Sequence, residues 1–283
     1  MKVDILTPSG FCGGVINVLK LINYVVETHK GQPIYCIGQV VHNTDVNNGI
    51  EKKGVKVILE DKEKAIDFIN EGVVIFSAHG TDERITKRAK EKGLIVYNAV
   101  CPFVDKSFDA IRKYHIEGYS IIYIGKQGHD EANAALSICK DIYLITNLTD
   151  VEKLDIDNKK IAVINQTTLS TLDIKDIYKK ILEKYPNCKI VDEICSTTRL
   201  RQQRLIEKAT EYDLILIVGD TTSSNSMSLY NIAKRLNSNS YMVLNENFIK
   251  TEWFFNKESV LLVSGASTPN EEISKIIKKI KIN

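Results

Sequence analysis

Six cysteines and five histidines in 283 residues are few enough for their positions to carry information. Cys12, Cys101 and Cys195 divide the chain into near-equal thirds. At a matched offset after each comes a polar turn: Val41-His42-Asn43, then Gly128-His129-Asp130-Glu131, then Ser223-Ser224-Asn225. A second polar turn ends an apolar run in each third, at His79–Gly80, Thr167–Thr168 and Ser267. Three series recurring in one order mark an internal repeat. If the repeat brings the three cysteines together, few chemistries suit them. Structural zinc takes four protein ligands, and an iron–sulfur cube that only carries electrons takes four thiolates. A cube on three thiolates leaves one iron without a protein ligand, open to a substrate oxygen while the cluster also supplies electrons.

The local contexts support that use. SGFCGGV and AVCPFV each place a cysteine where a helix begins, with Pro102 at a position the first helical turn tolerates. Amide N–H groups and the helix dipole favour a thiolate there. Cys36 alternates with apolar residues on a strand-like run and reads as a small buried hydrophobe; Cys139 and Cys188 sit beside such runs, and none of the three is assigned a function. There is no CxxC pair, which excludes a zinc ribbon or thioredoxin motif, and the cysteines are too sparse for a disulfide framework.

Around the cysteines the marked turns are rich in hydroxyl, amide and imidazole groups. His42, His79 and His129, with Ser223, Ser224, Asn225 and Ser267, could together hold a diphosphate by hydrogen bonds, with imidazolium charge where protonated. Ser223-Ser224-Asn225 also reads as a helix start, whose free amides suit an anion. Glu131, two residues beyond His129, is a candidate proton donor, and Thr167 a candidate to orient or relay that proton.

These residues need a scaffold that gathers loops. Val73–Ser77, Ile121–Gly125, Ile161–Asn165, Leu214–Val218 and Val260–Ser264 are near-continuous apolar runs, the pattern of parallel strands covered on both faces. Between them, Val15, Leu19, Ile22 and Val26, and Ile174, Ile177 and Ile181 with Tyr185, keep helical spacing. The expected architecture is α/β: three lobes related by pseudo-threefold symmetry, each with a small, mostly parallel sheet, around a central iron–sulfur site. The lobes are expected at 13–98, 99–192 and 193–283, the last completed by the N-terminal strand within 1–12. Ligands should collect at the carboxyl ends of the strands, where all the marked residues fall.

Hydrophobic residues at 43% and charged residues at 26% describe a globular chain, and a net charge of +2 gives no basic excess for nucleic acid or anionic lipid. No apolar run approaches the roughly 20 residues of a bilayer span, and the start MKVDIL has no cleavable signal pattern. A cytoplasmic protein, binding neither nucleic acid nor membrane, is expected.

As a set, GFCGGV, VVHN, FSAHG, CPFV, GHDE, QTTLS, EIC, SSNS and SGAS resemble the 4-hydroxy-3-methylbut-2-enyl diphosphate reductases, the final enzymes of the non-mevalonate isoprenoid pathway. The resemblance spans nearly the whole chain in order. It implies a [4Fe–4S] cluster on Cys12, Cys101 and Cys195. It also implies an allylic alcohol diphosphate held by His42, His79, Ser223, Ser224, Asn225 and Ser267, with His129 in the pocket. Glu131 matches the proton donor and Thr167 the residue that places the hydroxyl. Two electrons, arriving singly from ferredoxin or flavodoxin, and two protons would remove the hydroxyl as water. Isopentenyl and dimethylallyl diphosphates would result. The family often has Ala at Gly13 and Pro at Asp130, and STTRLRQ after Cys195 follows its pattern only in part, with Thr198 on the matching threonine. From the residues alone, a redox-neutral hydratase using the cube as a Lewis acid and a phosphate-sensing module remain as rivals.

Overall fold

The computed structural model describes residues 1–282. The chain opens on a short strand, β1 (Lys2–Ile5). Then come β2 (Ile34–Ile37), β3 (Val55–Ile58), β4 (Val73–Phe76) and β5 (Ile95–Asn98), hydrogen-bonded in the order β3-β2-β4-β5. The next four strands repeat that order as β7-β6-β8-β9: β6 (Ser120–Ile124), β7 (Ile142–Ile145), β8 (Ile161–Asn165) and β9 (Lys189–Val191). The last three, β10 (Leu214–Val218), β11 (Ser240–Val243) and β12 (Ser259–Ser264), form β11-β10-β12 and take β1 as their fourth member. Val3 aligns with Val260 and Ile5 with Leu262, so the strand at the start of the chain belongs to the sheet built near its end. All pairings in the three sheets are parallel.

Parallel pairing follows from the residues. β4 (VVIF), β6 (SIIYI), β8 (IAVIN) and β10 (LILIV) lie inside their sheets and bury every residue, so no polar alternation is needed. At sheet edges, β1 and β5 expose their end residues. Each buried Val, Leu or Ile contributes about 1.5–3 kcal/mol, which makes these four strands the stable centres of their sheets.

The helix Thr171–Lys184 lays Ile174, Ile177 and Ile181 against Ile122, Ile124 and Val163, as its spacing requires. Tyr185 at its end packs on the same cluster while its hydroxyl bonds Leu154 O at 3.2 Å. In the helix Gly13–Thr28 the buried face runs through Val15, Val18, Ile22 and Val25, not Val15, Leu19, Ile22 and Val26. Leu19 and Val26 lie half-buried at its margin. Both sets fit a helical period, and only packing selects between adjacent faces.

The chain divides into two compact units. One comprises Met1–Val15, His42–Val46 and Cys195–Asn283 and holds the sheet completed by β1. The other comprises Ile16–Val41 and Asn47–Ile194 and holds the other two sheets. Among the described residues no helix is long and apolar enough to cross a membrane.

Candidate functional site

In the two-sheet unit, the loops after β4, β6 and β8 carry the marked residues. His129 caps the helix Asp130–Ser137, its Nδ1 accepting the Glu131 N–H at 3.2 Å. That fixes the first helical turn and with it Glu131, which is only 1% exposed. Thr167, two residues beyond β8, donates its N–H to Glu131 Oε1 at 2.7 Å and its hydroxyl to Oε2 at 2.9 Å. Burial pushes the Glu131 carboxyl up to about 7, against the pull of these two Thr167 bonds. The neighbouring Tyr123 phenol also holds the value down, although its fully buried hydroxyl makes no conventional hydrogen bond. The result is a carboxylic acid able to hold its proton near neutrality and release it there.

His79 follows β4, and its ring meets that of His129 edge-on, with centroids 5.6 Å apart. Gly80 turns the chain at φ +86°, where a side chain would be strained and would meet the Phe108 ring. Cys101 caps the helix Pro102–Ile116 without a side-chain capping bond, and its N–H donates to Ala78 O at 2.9 Å, tying it to the His79 turn. Asp130 lies 3.5 Å from the ammonium of Lys62, which also donates to Gly80 O at 2.9 Å. The extra acid beside Glu131 therefore has its own cation.

In the other unit, Cys12 donates its N–H to Ala266 O at 2.9 Å, and its sulfur accepts the Val15 N–H at 3.5 Å. Cys195 caps the helix Ser196–Lys208, accepting the Thr198 N–H at 3.3 Å and lying 3.0 Å from the Thr198 hydroxyl. Asn225 donates to that hydroxyl at 3.2 Å and accepts the Ala266 N–H at 2.9 Å. Ala266 thus meets Asn225 with its N–H and Cys12 with its carbonyl, so a chain through Asn225 and Thr198 links the two cysteines. Ser223 caps the helix Ser224–Leu236, accepting the Ser226 N–H at 3.3 Å. Ser223, Ser224 and Asn225 are all buried at that helix start. Ser267 donates to His42 O at 3.0 Å.

Three residues here escaped the sequence reading as site members. Thr198, noted there only as a family match, contacts both Cys195 and Asn225. Asp220 receives the N–H and hydroxyl of Thr44 on one oxygen and those of Thr222 on the other, pinning the chain beside His42. Burial works to raise its carboxyl, but these four bonds hold it below the ordinary value. Arg201, 1% exposed, grips Gly10 O and Ser264 O, each at 2.6 Å. Burial lowers its proton affinity, and coupling to the Cys12 and Cys195 sulfurs works the other way.

Among the described residues no three His, Cys, Asp or Glu side chains converge tightly enough for a single metal ion. A four-iron cube puts each thiolate on a different iron and needs no such convergence. Two features of the one-sheet unit suit a sulfur-rich anionic group: two cysteines at helix starts, and a buried arginine on the helix that Cys195 caps whose Nε–H has no acceptor.

A solved structure shares this architecture. The E-1-hydroxy-2-methyl-but-2-enyl-4-diphosphate reductase from Plasmodium falciparum matches with a TM-score of 0.93 at 31% identity, over 98% of this chain and 87% of that one. The class so defined is an α/β oxidoreductase built on three small parallel sheets. Among sequence relatives, the 4-hydroxy-3-methylbut-2-enyl diphosphate reductases of Halalkalibacterium halodurans and Bacillus licheniformis are each 38% identical. They align over 99% and 98% of this chain and 91% and 90% of their own. A family model described as LytB protein matches residues 3–281, and the chain belongs to that family.

Proposed function

We propose that this protein reduces 4-hydroxy-3-methylbut-2-enyl diphosphate to isopentenyl and dimethylallyl diphosphates, removing the allylic hydroxyl as water with two electrons and two protons. Cys12, Cys101 and Cys195 are its ligands for a [4Fe–4S] cluster. When bound, that cluster supplies electrons and an iron open to the substrate hydroxyl. Ferredoxin or flavodoxin is the electron donor in this reading, and the cytoplasm the compartment. The lobes run 13–98, 99–192, and 193–283 with 1–12.

The chain's own residues do the rest. His42, His79, Ser223, Ser224, Asn225 and Ser267 bind the diphosphate through neutral donors and imidazole N–H groups, with His129 beside them. Helix-start amides behind Ser223 add to that binding. Thr167 orients both oxygens of Glu131. Glu131 delivers a proton to the departing hydroxyl, turning a poor leaving group into water. His129 sets the start of the helix that presents Glu131.

The observation that carries this reading is the Glu131 carboxyl, fully buried, pushed up to about 7 and held on both oxygens by Thr167. The test is an anaerobic, reductant-dependent assay of the allylic diphosphate with wild type and Glu131→Gln. Loss of turnover with substrate still bound is expected. Wild-type turnover without reductant would overturn the reading in favour of a hydratase, and an unimpaired Glu131→Gln would remove its proton donor.

A further inference from the structure

A fully buried guanidinium is costly unless something negative answers it, because an arginine cannot shed its charge. Arg201 is such a group. Its side chain reaches back from the Cys195 helix to the loop that precedes Cys12. One terminal nitrogen donates to Ser264 O at 2.6 Å and Ser264 Oγ at 3.0 Å, the other to Gly10 O at 2.6 Å. The Ser264 hydroxyl in turn accepts the Gly10 N–H at 2.9 Å. Among the described residues no carboxylate pairs with it, and its Nε–H is buried without an acceptor. The thiols electrostatically coupled to it are those of Cys12 and Cys195, which become anionic on binding a metal.

We infer that Arg201 is a positioning residue for the sulfur site: its fork locks the Cys12 loop to the Cys195 helix, and its fixed positive charge offsets the negative charge gathered there. The inference rests on the proposed cluster ligands. Two consequences separate. Losing the fork should loosen the hold on iron, because Gly10 O and Ser264 O are no longer gripped by one planar group. Losing the charge should make the cluster harder to reduce, because reduction adds negative charge at a place that has lost its cation; net charge and hydrogen bonds near the sulfurs are what set such potentials.

The experiment compares anaerobically purified wild type, Arg201→Met, Arg201→Gln and Arg201→Lys. It measures iron and sulfide per chain, the cluster's midpoint potential by redox titration, and the melting temperature. Both neutral variants should show a midpoint shifted to more negative values. Arg201→Lys, which keeps the charge without the fork, should stay near the wild-type midpoint but lose iron faster. A structural role alone would lower melting and leave the midpoint unmoved, and that result would overturn the charge assignment. If the neutral variants fail to fold, Arg201→Lys decides: faster iron loss supports the inference, and wild-type retention overturns it. Wild type free of iron and sulfide would instead defeat the cluster reading itself.

Discussion

Glu131 and Arg201 are both 1% exposed, one in each compact unit, and they solve the same problem in opposite ways. Glu131 accepts two bonds from the neutral donor Thr167, beside the Tyr123 phenol, and lessens the cost of burial by keeping a proton. Arg201 sits among carbonyls and cannot neutralise itself, so its environment has to supply negative charge. A buried group that can trade a proton suits proton delivery, while one that cannot suits holding an anion in place. In the proposed reaction the two-sheet unit would serve proton chemistry and the one-sheet unit would hold charge.

Several measurements would break or sharpen that contrast. The largest effect is expected at the cysteines: Cys101→Ser should greatly reduce iron incorporation on anaerobic reconstitution, whereas Cys36→Ser should match wild type. Equal effects would remove the ligand assignment, since Cys36 is a fully buried thiol whose burial pushes it up to about 12. Glu131→Gln should then lower turnover by roughly 100-fold or more, the usual size of a positioned acid's contribution, with substrate affinity retained. Calorimetric binding of the diphosphate beside the kinetic assay separates the two.

The same carboxyl makes a prediction in pH. In the fold Glu131 keeps its proton up to about pH 7, against an ordinary value of 4.5. Between those values the folded chain binds more protons than the unfolded one, so stability falls as pH rises through that window. Outside it Glu131 contributes no slope. The total is on the order of 3 kcal/mol. Denaturant titrations of the cluster-free chain should show this slope in wild type and not in Glu131→Gln. Turnover should fall as pH rises through about 7, where the acid form is lost. Tyr123→Phe removes an influence that holds Glu131 down, so this alkaline limb should move to higher pH. The smallest effect belongs to Lys62→Met. Its pair with Asp130 is partly solvated, and losing it should cost about 1 kcal/mol or less in a denaturant titration.

Much of the scaffold was legible because burial on both faces leaves a plain mark: β4, β6, β8 and β10 are apolar almost throughout. The pairing of β1 with β12 followed from the repeat, since the last third lacked a strand that the chain start supplied. The buried face of Gly13–Thr28 was read incorrectly because Val18 and Leu19 are equally apolar neighbours. At the site, Glu131 and Thr167 stood out as polar residues at strand ends, and the structure joins them directly. Thr198 was visible only as the match to a family threonine. Asp220 carried no comparable signal, and Arg201 none beyond its place in the STTRLRQ stretch. Asp220 meets Thr44 across 176 residues and Arg201 meets Gly10 across 191, and no local pattern encodes such partners.

By itself the sequence determined the central strands, the repeat that orders them and the marked polar residues at their ends, because hydrophobic periodicity and helix-start residues act over a few positions. Tertiary structure decided which charges are sealed from water and what answers them. A carboxyl becomes an acid near neutrality only when distant segments exclude solvent around it, and an arginine, charged in any setting, demands nearby negative charge only when it is likewise buried.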